Sequence, residues 1–254
     1  MIFYFSATGN SKYAARRLLD ATGGELVSVP ECRKIGRFTF SVSQSEAVGI
    51  IFPTFFWGLP TLVEEFLQKL ELTATPGTYL YSVSTCGVTP GASGAMVEKL
   101  LRAKGLSLSA RFSVTMPDTW TPIFDLRDKD KVASKNRAAE IQIDEIIPRV
   151  QLRERGDFMR GTAPYWFYRT VLRLVYNGAR KTTHFTVSPD CIGCGLCANK
   201  CPVQAIEMQS GRPVWPTEQC ALCLGCLHCC PKFAIQYGAH TRSHGQYQHP
   251  HETV

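Results

Sequence analysis

The sequence predicts a doubly wound α/β domain built on a five-stranded parallel sheet, followed by a small cysteine-rich domain. Strand and helix signals alternate through residues 1–153. Nine of the eleven cysteines fall between Cys191 and Cys230. Part of that region repeats itself 29 residues later, as an internal duplication does.

The elements follow in order. Residues 1–6 are a short apolar run that reads as a buried strand, and residues 10–22 show helical spacing through Tyr13, Ala14, Leu18 and Leu19 before Gly23-Gly24. Leu26–Val29 is a second strand, and Ala47–Phe52 a third, apolar on both faces as a central parallel strand should be. Between them, up to about Ser43, no helix is evident, so one crossover is expected to be irregular. Thr61–Leu70 puts Leu62, Val63, Phe66, Leu67 and Leu70 on one helical face. Thr78–Ser84 is the fourth strand, Ala95–Lys104 a helix stopped by Gly105, and Leu106–Met116 the fifth strand. A long polar helix is expected from Lys131 to Arg153, with Ile141, Ile143, Ile146, Ile147 and Val150 as its apolar positions. In such a sheet ligands bind at the carboxyl ends of the strands, near the point where strand order reverses. The loops after the first, third and fourth strands are therefore the ones to read.

Residues 154–187 form a basic, aromatic connector, with a helical stretch from Pro164 to Tyr176. It reads as a helix packed between two domains, or as a helix that docks on a membrane surface or a partner. The first reading is preferred, because an apolar face beside two domains has somewhere to bury. Residues 188–238 are the cysteine-rich domain and 239–254 a polar C-terminal tail, expected to be mobile, that carries His244, His249 and His251.

The formal net charge is +7, which favours acidic partners. Zinc-finger spacing, RNA-binding aromatics and basic heptads are absent, so nucleic acid is not an expected partner. No secretory signal is read at Met1–Phe5, and the longest apolar run, Val48 to Leu62, is broken by Pro53, Gly58 and Pro60. A cytoplasmic location is expected, with no membrane association. Clustered cysteines in such a chain point to metal rather than to disulfides.

Cys191-x2-Cys194-x2-Cys197-x3-Cys201-Pro202 and Cys220-x2-Cys223-x2-Cys226-x3-Cys230-Pro231 are two copies of the run that binds a pair of 4Fe–4S clusters. Three thiolates on one tight loop wrap three irons of a cubane, and the fourth lies too far along and serves the other cluster. Cys191, Cys194, Cys197 and Cys230 are thus expected on one cluster, and Cys220, Cys223, Cys226 and Cys201 on the second. Zinc sites use pairs of such dipeptide-spaced cysteines, or Cys with His, rather than quadruplets ending in Cys-Pro. Cys229 is surplus and reads as a small buried residue. So small a domain depends on its clusters as staples.

Ser6-Ala7-Thr8-Gly9-Asn10-Ser11 ends the first strand and opens a helix, a setting that suits a phosphate. Neither a nucleotide P-loop nor a dinucleotide fingerprint is present. After the third strand, Pro53-Thr54-Phe55-Phe56-Trp57-Gly58 offers aromatics for stacking a flat ring, with Phe56 and Trp57 preferred over a role as core or domain contacts. After the fourth, Thr85-Cys86-Gly87 and Gly91 let backbone amides approach a ring edge.

With these three loops the first domain, over residues 1–152, resembles the flavodoxins, whose phosphate loop reads Ser/Thr-x-Thr-Gly-x-Ser/Thr; Ser11 stands where Thr is commoner. The resemblance implies FMN, with its phosphate on Ser6–Ser11, its ring between the 54–60 and 84–94 loops, and the Gly58 peptide near N5 of the reduced ring. The whole chain resembles flavodoxin–ferredoxin fusion proteins of anaerobes, which implies a second domain of the small α+β bacterial ferredoxin type. The tail segments Ala234–Gly238 and Tyr247–Pro250 share that resemblance. The expected function is electron relay between two 4Fe–4S clusters and FMN, to or from a redox partner protein of acidic character. The alternative is an FMN-dependent reductase of a small organic substrate fed by the clusters. No acid–base or nucleophilic constellation stands out, so no catalytic residue is assigned. A homodimer that brings flavin and cluster together is allowed.

Overall fold

The computed structural model describes residues 1–43 and 46–254. The first domain runs β1 (Ile2–Tyr4), α1 (Asn10–Thr22), β2 (Leu26–Ser28), α2 (Val29–Ile35), β3 (Thr39–Ser41), β4 (Val48–Pro53), α3 (Thr61–Lys69), β5 (Glu71–Thr73), β6 (Leu80–Cys86), α4 (Ser93–Arg102), β7 (Ala110–Thr115), α5 (Lys129–Gln151) and β8 (Gly156–Asp157). The main sheet is parallel, in the order β2-β1-β4-β6-β7-β8, while β3 and β5 pair separately. Strand order reverses beside β1, so the carboxyl ends of β1 and β4 flank the crevice where ligands bind.

Alternation along β4 shows why both faces are covered. Ile50 and Phe52 point into a core with Phe66 and Leu67 of α3 and Val97 of α4, and Ile51 points the other way, to Leu18 of α1 and Ile143 of α5.

The structure differs from the sequence reading at several points. The crossover expected to be irregular contains α2, whose cap is Ser28, accepting from the Glu31 amide at 3.4 Å, with Pro30 in the first turn. The sheet has a sixth strand, β8, from the start of the expected connector. The fifth expected strand begins at Ala110 rather than Leu106. Ile141, counted among the apolar positions of the long helix, is exposed.

The connector continues as α6 (Tyr165–Phe167), a π-helical turn over Tyr168–Leu172 and α7 (Arg173–Ala179). Tyr168 packs into the core of the first domain and Tyr176 into that of the second. Arg173 pairs with Glu64 at 2.6 Å, fixing α7 to α3. The opposite side, with Trp166 and Leu174, is exposed.

The second domain comprises β9 (Phe185–Val187), α8 (Leu196–Asn199), β10 (Glu207–Gln209), β11 (Arg212–Val214), α9 (Gly225–Cys229), β12 (Ile235–Tyr237) and α10 (Thr241–His244). β9 pairs antiparallel with β12, so the end of the connector belongs to this domain's framework, and β10 pairs with β11. Its core also receives Phe55, Phe56 and Trp120 from the first domain. The tail is not free. Tyr247 and His249 are buried, and Tyr247, His249 and Glu252 bond to the first domain.

Candidate cofactor sites

At the carboxyl edge of the sheet lies a cavity of about 220 Å³. From the first loop Ser6, Thr8, Asn10 and Ser11 line it. The second contributes Pro53, Thr54, Phe55, Phe56 and Trp57, and the third Thr85, Cys86 and Gly87. Three expected residues do not line it. Gly9 caps α1 from outside the cavity with φ 99°, and Gly91 packs under Trp57. The Gly58 amide donates to Phe55 O at 2.9 Å, and a side chain there would run into the ring of Tyr168.

The second loop is strained for a reason. The Phe55 and Gly58 backbones bond each other, which leaves Phe56 and Trp57 as the central residues of a tight turn, with φ 47° and 61°. Such turns favour Asn-Gly, and each bulky residue there costs roughly 1–2 kcal/mol. The two aromatics then part company. Phe56 packs on Trp120 and Tyr176, with ring centroids 5.2 and 5.3 Å away, and serves as a domain contact. Trp57 stays on the rim, 45% exposed.

A wall that sequence reasoning missed comes from the loop after β7: Met116, Pro117, Asp118, Trp120 and Phe124. Its signal was available, since that loop also leaves a carboxyl edge and is rich in aromatics. Burial pushes the Asp118 carboxyl up, opposed by the Trp120 amide that donates to Oδ1 at 2.9 Å. Burial also raises the Cys86 thiol to about 12, so it stays protonated at neutral pH.

This cavity fits FMN. The first amides of α1 have no intrahelical acceptor, and Gly9 supplies no side-chain cap, so the helix start is ready for an anion. Thr54 Oγ1 is buried without a hydrogen-bond partner, the kind of orphan a polar ligand satisfies. Apolar walls beside these polar groups match a flat ring on a phosphate chain.

The cysteines gather into two sets. Cys191, Cys194, Cys197 and Cys230 surround a small cavity of about 20 Å³. Cys201 and Cys220 lie within electrostatic reach of both Cys223 and Cys226. Burial raises the Cys197, Cys220, Cys223 and Cys226 thiols. The sulfurs of Cys201, Cys220 and Cys230 accept from the amides of Ala205, Leu222 and Ala234 at 3.2, 3.2 and 3.3 Å. Sulfur-directed amides around buried thiols suit a negatively charged iron–sulfur cluster. Among the described residues no three metal-type side chains close on one point, and a cubane does not ask for that, because its four thiolates bond four separate irons. Cys229 lies beside Cys197 and Cys230, and burial raises its thiol to about 11.

A family model described as a flavodoxin domain matches residues 1–142. The chain belongs to the flavodoxin-domain family. A second model, a 4Fe-4S dicluster domain, matches residues 190–235. The flavodoxin domain implies FMN, and the dicluster domain implies two 4Fe–4S clusters. An uncharacterized polyferredoxin-like protein of Methanocaldococcus jannaschii is 35% identical over 74 residues, which are 24% of this chain and 44% of that relative. The match therefore spans less than half of the relative's length. Among solved structures, a rubredoxin oxygen:oxidoreductase of Desulfovibrio gigas aligns over 59% of this chain and 36% of its own, at 16% identity and TM-score 0.35. A Streptococcus pneumoniae flavodoxin aligns over 57% of this chain and 97% of its own, at 12% identity and TM-score 0.33. The Trp repressor binding protein of Bacillus subtilis aligns over 54% and 95%, at 13% and 0.32. This flavodoxin–dicluster fusion is an electron-transfer type of protein. Among the described residues no helix is long and apolar enough to cross a membrane.

Proposed function

We propose that the protein relays electrons between two 4Fe–4S clusters and FMN, with Cys220, Cys223, Cys226 and Cys201 holding the cluster nearest the flavin. Cys191, Cys194, Cys197 and Cys230 hold the outer one. When bound, the clusters supply one-electron chemistry and the flavin one- or two-electron chemistry. One observation carries this reading: Leu222, Cys223 and Leu224 form part of the flavin cavity's own wall. A single chain therefore supplies both sides of the contact, and no second copy is required. Leu222 and Leu224 are buried and exclude water from that junction. Cys194 and Ile192 of the outer set are exposed, which makes that edge the entry point for a partner. Exposed Lys200, Arg212 and Lys232 in that domain suit a partner of acidic character.

The test is the rate of flavin reduction after a one-electron donor reduces the clusters anaerobically. About eight iron, eight sulfide and one FMN per chain are expected, with a first-order rate independent of protein concentration. A rate that rises with concentration would show that flavin and cluster meet between chains, and would end this reading.

Reduction of a small organic substrate is a second reading. Trp57, Val88 and Ile123, which line the cavity, are 45%, 62% and 68% exposed and leave an apolar approach to it. Steady-state turnover of a defined substrate, saturable in that substrate, would favour it.

A further inference from the structure

The phosphate loop is shaped from two sides. Its concave side faces the flavin cavity, and its outer side is covered by residues 246–252. The covering is close. A Cβ placed on Gly9 would lie 2.4 Å from Glu252 O and 2.6 Å from His249 Cβ, so only glycine fits beneath it. The His249 amide donates to Thr8 O at 2.7 Å. In a trans peptide the C=O and N–H point opposite ways. A bond that holds the Thr8 carbonyl outward therefore turns the Gly9 N–H inward, where Ser6 Oγ accepts it at 3.1 Å.

Asn10, which lines the cavity, is gripped at both ends of its side chain. Nδ2 donates to Pro117 O at 3.1 Å, and the Tyr247 hydroxyl donates to Oδ1 at 2.7 Å. The same hydroxyl lies 3.0 Å from the side-chain oxygen Oδ1 of Asn136 on α5. Glu252 pairs with Lys12 at 3.0 Å and with Arg16 at 3.4 Å, seating the segment on α1, and His249 stacks on Tyr13 with centroids 4.2 Å apart.

The other end of the segment hangs from the cluster domain. Gln246 Nε2 donates to Leu227 O at 2.6 Å and to Cys230 O at 2.8 Å. The Tyr247 amide donates to His228 Nδ1 at 3.2 Å. With Nδ1 accepting, the proton of this buried imidazole sits on Nε2, which donates to Thr119 O at 2.9 Å in the loop that walls the flavin cavity. An unbroken set of bonds thus runs from α9, through His228 and Tyr247, to Asn10.

We propose that residues 246–252 are a strap that holds the phosphate loop in its anion-binding shape, with Tyr247 as the positioning residue, and that the strap takes its own position from α9. The inference rests on the FMN reading of the cavity. It assigns a role in cofactor retention to a segment outside both matched domains.

The test uses the full protein with its clusters in place, stripped of flavin and titrated with FMN and with riboflavin, which lacks the phosphate. Tyr247→Phe is expected to weaken FMN about tenfold, the scale of one buried hydrogen bond, and to leave riboflavin within about twofold. A chain ending at Gly245 is expected to lose about a hundredfold for FMN with the same selectivity. The double variant Gln246→Ala/Gln248→Ala, which removes three of the strap's bonds to α9 and the residue after it without touching Tyr247, is expected to reproduce part of the FMN loss. Unchanged FMN affinity in Tyr247→Phe and in the shortened chain overturns the strap. Equal losses for FMN and riboflavin overturn it too, because they show a general structural role. No change in that double variant overturns the link to α9. If the shortened chain also loses iron, Tyr247→Phe decides alone. A wild-type protein that binds neither flavin instead defeats the FMN reading, an outcome distinct from the others.

Discussion

Gly195 and Leu224 occupy the same place in the two halves of the duplicated domain, 29 positions apart, and both hold left-handed backbone, with φ 73° and 53°. Gly193 and Leu222 repeat the relationship at 68° and 54°. Glycine adopts this conformation freely and leucine does not. The half with leucines is the half that walls the flavin cavity, and both side chains are buried. The strain is retained because these side chains close the junction between the two cofactor sites.

Substitution at Leu224 should therefore invert the usual order. Leu224→Ala loses the buried side chain and keeps the strain, whereas Leu224→Gly loses the side chain and releases it. The glycine variant should be more stable than the alanine variant by about 1 kcal/mol, although both fall below wild type by a few kcal/mol. Denaturant melts of the three proteins decide it, and an alanine variant that matches or exceeds the glycine one removes the strain argument.

Gly58→Ala should act on packing. A Cβ at Gly58 would lie 2.1 Å from the Tyr168 ring, which is buried and has no room to move. A loss of about 1–3 kcal/mol is expected, with loosening of the connector helix visible in hydrogen exchange at residues 165–176. Wild-type stability and exchange in this variant would contradict the packing seen here.

His249 gives the protein an acid-sensitive joint. Burial, reinforced by neighbouring His251 and opposed by Glu252, lowers its pKa to about 4, below the unfolded value of about 6.5. Tyr13 stacks against it, and Lys12 pairs with Glu252 beside it. A folded-state pKa below the unfolded one means the unfolded chain takes up the proton first. There is no penalty above pH 6.5, and stability falls as pH drops from 6.5 toward 4, by at most about 3 kcal/mol. Melts between pH 7.5 and 5.5 should show this slope in wild type and a shallower one in His249→Gln. Equal slopes would rule out His249 as the source.

Chelation of iron should disorder residues 188–238 while the parallel sheet stays folded, because so small a domain buries too little apolar surface to hold its cysteine loops without the clusters. Near-UV dichroism and hydrogen exchange check this. Intact protection at β9 and β12 after iron loss would show that the domain does not need its staples.

Reduction by an acidic one-electron donor protein should slow as ionic strength rises, since exposed Lys200, Arg212 and Lys232 would guide the encounter. Stopped-flow rates across a salt series measure it. A flat response would remove electrostatic docking from the proposal.

Much of this was legible in the residues. Helix α1 runs from Asn10 to Thr22, as the spacing of Ala14 and Leu18 and the stop at Gly23 require. The cysteines of each expected set lie near one another, because short loops leave the chain little choice. Helix α2 was not legible, since seven residues with Pro30 and three charged side chains carry too little apolar period. The loop from Met116 to Phe124 is marked in the sequence only by Trp120 and Phe124, and lacks the hydroxyl and glycine pattern that flags the other strand ends. The tail was misread because polar residues signal solvent by default. Tyr247 and His249 are buried through specific hydrogen bonds and stacking, which periodicity does not report. The left-handed leucines were invisible for a similar reason, since leucine in a tight loop looks like ordinary core.

The path of the chain has one more consequence. It leaves the sheet after β8, builds the small domain, and returns through residues 246–252 to lie on α1, next to where it began. Topologically the small domain is an insertion, not an appendage. A protease that cut between Gly161 and Pro164 would leave two fragments still clasped together, and the halves could not be traded between relatives like beads on a string.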